Sequence, residues 1–113
     1  ASITEDGGSM KKYNKIVRDK IPEVIRENDK TCEVSFVDNK TAIEYLVKKI
    51  SEEAKEFEES GYDKRELADL YEVIDAVKDK LKIKDSQISQ IRRKKAKDRG
   101  IFNNNIILKS VEE

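Results

Sequence analysis

The sequence has no histidine and no tryptophan, and only one cysteine and one proline among its 113 residues. Without histidine, this chain has no Ser-His-Asp or Cys-His catalytic set, no histidine general base and no histidine metal ligand. The single cysteine, Cys32, excludes an intramolecular disulfide and a cysteine-rich zinc site, and it favours a reducing compartment. An enzyme of this composition would therefore have to rely on carboxylates, lysine, arginine and a metal ion.

Glycine and long apolar runs are also scarce. The four glycines form neither a Walker A loop nor a G-x-G-x-x-G loop, so the common phosphate-binding loops are excluded. No apolar run approaches the roughly 18 residues that span a bilayer, and no signal peptide is visible, so we expect a cytoplasmic protein without a membrane partner. The 24 basic and 24 acidic residues balance, which argues against a nucleic-acid partner.

The length is enough for one domain and too short for two. Residues 1–9, which precede Met10, read as an expression scar, and we expect residues 10–113 to form a single domain. Charged residues make up 42% of the chain and hydrophobic residues 36%, so there is much surface for little core. This balance predicts a homodimer or a higher homo-oligomer.

Apolar residues recur at intervals of three and four over most of the chain, which is typical of α-helices. The pattern predicts helices over residues 19–27, capped by Asp19, and over 40–60, 64–81 and 85–99, the last capped by Asp85 and Ser86. The two long helices are joined by a short turn and should form an antiparallel hairpin, and such hairpins pair into four-helix bundles. The predicted fold class is all-α, with room for a minor two-stranded β element from residues 32–37 and 106–108.

Two acidic pairs have helical spacing, Glu53 with Glu56 and Glu66 with Asp69. On a wheel of about 100° per residue, both pairs lie on the same flank of the apolar stripe of their helix, whereas Glu52 and Glu72 point to solvent. The same rotation on two antiparallel helices projects to one side of the hairpin, so we expect the two pairs to meet at one edge.

Bunched carboxylates repel one another, and a divalent cation would neutralise them. Ligands that are all oxygen favour Mg²⁺, with Mn²⁺ as a substitute. The alternative is that lysines of the same helix, Lys48, Lys49 and Lys55, neutralise these acids as ordinary surface ion pairs.

Four segments resemble the MazG-like nucleotide pyrophosphohydrolases, in particular the small house-cleaning group of that all-α superfamily, which is related to phosphoribosyl-ATP pyrophosphohydrolase. The segments, in chain order, are YNKIVRDKIPEVI (13–25), LVKKISEEAKEFEE (46–59), RELADLYEVIDAV (65–77) and KKAKDRGIF (94–102). The family pairs E-E-x-x-E on one helix with E-x-x-D on the next. Glu52, Glu53 and Glu56 match the first motif, and Glu66 and Asp69 match the second.

The resemblance implies an oligomeric helical bundle that cleaves a nucleoside triphosphate, including noncanonical ones, to the monophosphate and pyrophosphate with the help of Mg²⁺. It makes Glu53, Glu56, Glu66 and Asp69 the metal ligands and Glu52 or Glu53 the carboxylate that assists the attacking water. It also implies that basic residues contact the triphosphate: Lys15, Arg18, Lys20, Lys95 and Arg99. Salt bridges and surface packing are the alternative for these basic residues.

Two other functions remain open at this point. The substrate could be phosphoribosyl-ATP, or the chain could be a non-catalytic helical dimerisation or regulatory module that keeps the acids without the activity. The connection between the two acidic motifs is shorter than in many relatives, which leaves the preferred base undetermined.

Overall fold

The structure, a computed structural model, describes residues 12–112 and contains four helices. They are α1 (Ile21–Glu27), α2 (Asn39–Glu59), α3 (Lys64–Lys80) and α4 (Asp85–Arg99). This result confirms the all-α class. The predicted scar at residues 1–9 lies outside the described residues. The chain divides into two compact units, Ala1–Leu81 and Lys82–Glu113, and the single-domain organisation of residues 10–113 stays a prediction.

The predicted limits of the two long helices agree with the structure to within one residue, because both starts carry a local signal. The Asp38 carboxylate accepts a hydrogen bond from the Thr41 N–H at 2.8 Å, and Asp63 accepts one from the Arg65 N–H at 2.8 Å. Each bond satisfies an N–H group that lacks a partner in the first helical turn. Between the helices, Gly61 has φ +78°, a left-handed conformation that glycine adopts without strain.

The caps of the shorter helices differ from the prediction. Helix α1 follows Lys20 rather than Asp19, with Pro22 in its first turn, where a missing N–H costs nothing. Helix α4 follows Lys84, whose N–H donates to the Gln87 side chain at 2.7 Å, so Asp85 is its first helical residue rather than its cap.

The minor β element is absent from the described residues. Residues 32–37 and 106–108 are both irregular, and Phe36 is fully exposed. Alternating apolar residues give a strand only where a second backbone offers hydrogen bonds, and no backbone ladder is formed in the described chain. The sequence pattern carried no information about such a partner.

Helices α2 and α3 pack against each other as the predicted hairpin. Their buried residues are few: Ala42, Leu46, Glu53 and Val73. The wheel centres the apolar stripe of α2 near Ile50, but the buried face lies about 50° away, between Leu46 and Glu53. Helix α3 is turned in the same sense, so each helix presents its acidic flank to the other.

This rotation leaves apolar side chains uncovered on the opposite side of the hairpin. Val47 is 51% exposed, Ile74 46% and Leu81 49%, and we call these three residues the apolar flank. Tyr71, also on α3, is 66% exposed. The hairpin therefore carries apolar surface that it does not bury itself.

The second unit consists of α4 and the irregular segment that follows it. Helix α4 is strongly basic in its second half, and the side chains after it include exposed Ile101, Phe102 and Ile106. Of the helices described, none combines the length and the apolar character needed to cross a bilayer.

Candidate metal centre

Three of the four acids predicted to bind a metal lie together at one edge of the hairpin. Glu53 and Glu56 lie on neighbouring turns near the end of α2, and Glu66 lies in the first turn of α3. The short turn brings these helix ends side by side, and one carboxylate oxygen from each residue lies within 4.8 Å of the other two. We call these three residues the acid cluster.

Glu53 is the buried member of the acid cluster, with only 7% of its surface exposed. Its Oε1 lies 3.6 Å from the Lys49 Nζ, whereas its buried Oε2 has no hydrogen-bond partner among the described residues. Burial raises the pKa of Glu53 above its ordinary value, and the negative charge of Glu56 raises it further. The site therefore holds a carboxylate whose charge is only partly compensated.

This donor set fits a hard divalent cation. It consists of oxygen atoms from two helices, and a buried carboxylate oxygen without a partner is costly unless a positive charge or a donor meets it. Mg²⁺ and Mn²⁺ prefer such oxygen ligands, so Glu53, Glu56 and Glu66 are suited to hold either ion.

Asp69 lies close to the acid cluster but is engaged elsewhere. Its Oδ1 accepts a hydrogen bond from the Arg18 Nη2 at 2.8 Å. The charge of Asp69 still contributes to raising the pKa of Glu53. The fourth predicted ligand is thus paired with a cation from the segment before α1, which the helical wheel could not indicate.

Glu52 and Glu72 behave differently from each other, although the wheel points both to solvent. Glu72 is exposed, as predicted. Glu52 is half-buried, because the rotation of α2 brings it to the side of the hairpin, and its Oε1 lies 2.9 Å from the Lys15 Nζ. The hydrogen bond from Lys15 lowers the pKa of Glu52, which keeps this carboxylate ionised.

The basic residues predicted to bind phosphate divide into two groups. Lys15 and Arg18 lie beside the acids and form the salt bridges that the sequence offers as the alternative, and Lys20 is exposed just before α1. Lys95 and Arg99 belong to the second unit, where they line a shallow groove together with Ile91, Lys94 and Asp98. Substrate contact by these five residues stays a prediction.

A small polar depression lies beside the acid cluster, between the segment before α1 and one side of α2. We call it the lysine recess, and its lining consists of Asn14, Lys15, Ile16, Tyr45, Lys48, Lys49 and Glu52. The sequence suggests Lys48 and Lys49 only as neutralising charges and gives no indication of a depression. The sequence feature that could have indicated this grouping is the i,i+4 spacing of these lysines from Glu52 and Glu53.

No protein-family model, curated protein or solved structure matches this chain. The likeness to MazG-like pyrophosphohydrolases thus depends on the residue motifs alone, and the geometry of the hairpin is independent of it.

Proposed function

We propose that this protein is a Mg²⁺-dependent nucleotide pyrophosphohydrolase of the MazG-like type, which cleaves a nucleoside triphosphate to the monophosphate and pyrophosphate. The observation that carries the proposal is the buried Oε2 of Glu53, which has no partner among the described residues and belongs to a cluster of three carboxylates from two helices. Burying a carboxylate oxygen costs free energy unless a donor or a positive charge meets it, and the Lys49 ammonium group is paired with the other oxygen, Oε1.

The chain supplies a residue for each task in this reaction. Glu53, Glu56 and Glu66 are the groups that would hold the cation, and Asp69 is the neighbouring acid that the motif adds. A bound divalent cation neutralises phosphate charge and makes a nearby water more acidic. Glu52 stays ionised beside Lys15, so it can orient or deprotonate the attacking water.

The reaction itself is a simple displacement. The water oxygen bonds to the α-phosphorus, the bond from that phosphorus to the bridging oxygen breaks, and its electron pair leaves with pyrophosphate. The charge that develops on the leaving group requires cationic side chains, and Lys15 and Arg18 lie at the same edge of the hairpin as the acids.

A homodimer belongs to the same proposal. The apolar flank leaves about half of each of its three side chains in water, and the described hairpin buries only three hydrophobic residues. A second hairpin packed on this flank would complete a four-helix bundle and cover these residues.

The deciding experiment is pyrophosphate release from a panel of nucleoside triphosphates and phosphoribosyl-ATP, with and without Mg²⁺ or Mn²⁺. We expect one or more triphosphates to give monophosphate and pyrophosphate only when the metal is present. Cleavage of phosphoribosyl-ATP alone would select that narrower activity. A dimer that cleaves nothing under any of these conditions would be the non-catalytic helical module instead.

A further inference from the structure

The acid cluster and the lysine recess have opposite charge and lie next to each other, and both include residues of α2. The acid cluster contributes three carboxylates, and the lysine recess contributes the ammonium groups of Lys15, Lys48 and Lys49 against the single carboxylate of Glu52. Lys49 connects the two features, because it lines the recess and its Nζ lies 3.6 Å from the Glu53 Oε1. The positive and negative halves of the site are therefore in direct contact.

The three lysines of the recess are not equivalent. Lys15 is paired with Glu52, and Lys49 with Glu53. Lys48 contacts no carboxylate in the described chain, and its Nζ lies 5.8 Å from the centre of the Tyr45 ring. The recess thus has a cation that an incoming anion can use without breaking an ion pair.

We propose that the lysine recess binds the pyrophosphate end of the nucleotide as its magnesium complex, with Lys48 as the cation that recognises it. This proposal rests on the proposed function. A magnesium–pyrophosphate complex presents a cation and anionic oxygens on neighbouring atoms, and this site presents carboxylates and ammonium groups on neighbouring helical turns. The charge pattern of the site is complementary to that of the complex.

The recess suits phosphate better than a nucleobase. Its lining offers three ammonium groups and one aromatic ring, Tyr45, and the Lys48 Nζ lies 5.8 Å from the centre of that ring. The pyrophosphate end carries more negative charge than the α-phosphate and gains further charge as the bond breaks. Cations placed there therefore assist both binding and departure of the leaving group.

The test is calorimetric titration of the full chain with pyrophosphate, in the presence and in the absence of Mg²⁺. We expect Mg²⁺ to tighten binding, Lys48→Met to weaken it by about tenfold, and Lys48→Arg to restore it to within about threefold. Lys40→Met is the matched control, since Lys40 is exposed on the same helix and lies outside the recess, and it should leave the affinity unchanged. Lys48 is the informative position because replacing Lys15 or Lys49 would also leave an acid unpaired.

Three results would overturn the proposal: no pyrophosphate binding in the unmodified chain, equal weakening by Lys48→Met and Lys40→Met, or an affinity that Mg²⁺ does not change. Failure of the proposed function gives a different result. If the chain binds pyrophosphate through Lys48 but hydrolyses no nucleotide, the assignment of the recess holds and the proposed function is wrong. If the chain hydrolyses nucleotides but binds pyrophosphate independently of Lys48, the proposed function holds and the assignment of the recess is wrong.

Discussion

The two flanks of the helical hairpin differ in which side chains they bury. The acidic flank is the side that carries the acid cluster and Asp69, and the apolar flank lies opposite it. On the acidic flank, Glu53 is buried to 7% exposure, and the nearby Glu52 and Asp69 are paired with Lys15 and Arg18 from the segment before α1. On the apolar flank, Val47, Ile74 and Leu81 remain about half exposed. A hairpin that only minimised its own free energy would bury the apolar residues and expose the carboxylate.

Packing within a single hairpin therefore does not explain why a carboxylate is buried while apolar side chains stay half exposed. Covering three aliphatic side chains would stabilise the fold, and each one is worth about 1.5–3 kcal/mol when fully buried. The rotation of α2 and α3 gives up part of that gain and brings the acids together instead. Under the two proposals above, a cation accounts for the acidic flank and a second copy of the chain for the apolar flank.

Substitutions on the acidic flank should have the largest effect. Under the proposed function, Glu53→Gln and Asp69→Asn should each lower the rate of pyrophosphate release by about a hundredfold or more, since the motif makes each of them a ligand of the catalytic cation. Glu72→Gln is the control, because this exposed acid lies on the same helix as Asp69, and it should change the rate by less than about threefold. Steady-state rates with Mg²⁺ would measure all three, and equal damage from Glu72→Gln would contradict the assignment of the site.

On the apolar flank, Ile74→Lys should weaken self-association by roughly 10- to 100-fold, because a lysine at the centre of an apolar interface must be desolvated. Phe36→Lys is the control, because Phe36 is fully exposed and lies outside the hairpin helices. Sedimentation equilibrium at several concentrations would give the dimer affinity. If the unmodified chain is a stable monomer at micromolar concentration, the apolar flank has another role.

Local signals in the sequence predicted the hairpin, and long-range contacts account for what was missed. The starts of α2 and α3 follow from Asp38 and Asp63, whose capping bonds span only two or three residues. The rotation of the helices could not be read from the wheel, because the apolar stripe is broad enough to serve two neighbours. The same limit explains why the wheel points Glu52 to solvent, whereas the structure half-buries it.

The candidate site was predictable to a similar extent. Helical spacing places Glu53, Glu56 and Glu66 at one edge, and the structure brings these three together. The bond between Arg18 and Asp69 joins residues 51 positions apart, and an irregular segment has no periodicity from which to infer it. The lysine recess could not be predicted for the same reason, since the same irregular segment forms it together with α2.

The pH dependence of stability distinguishes the two flanks, because only the acidic one titrates. The raised pKa of Glu53 means that the folded chain holds this proton more tightly than the unfolded chain does. Without metal, the contribution of Glu53 to the free energy of unfolding should therefore fall as the pH rises from the ordinary value of 4.5 through the higher folded pKa. Glu53→Gln should remove this decline and should be more stable than the unmodified chain at neutral pH in EDTA.

Adding Mg²⁺ should make the unmodified chain more stable than Glu53→Gln. At a hundredfold excess over its Kd, a bound ion stabilises the folded state by about 2.7 kcal/mol, and Glu53→Gln should lose most of this gain. Thermal melting from about pH 4 to about pH 8, with EDTA or with Mg²⁺, measures both effects. If the stability of the unmodified chain in EDTA does not fall with pH relative to that of Glu53→Gln, or if melting is indifferent to Mg²⁺, Glu53 is not a buried carboxylate that binds a cation.

The smallest expected effect concerns the ion pair between Arg18 and Asp69, in which both side chains are about half exposed. Exposed pairs contribute about 0.2–1 kcal/mol, and Asp69 cannot give its full charge to Arg18 and to a metal at once. Arg18→Gln should therefore tighten the binding of Mg²⁺ alone by about two- to fivefold in a calorimetric titration. The gain should disappear in the Asp69→Asn background, because the competition no longer exists there. If Arg18→Gln instead weakens Mg²⁺ binding, then Arg18 positions Asp69 for the metal rather than competing for it.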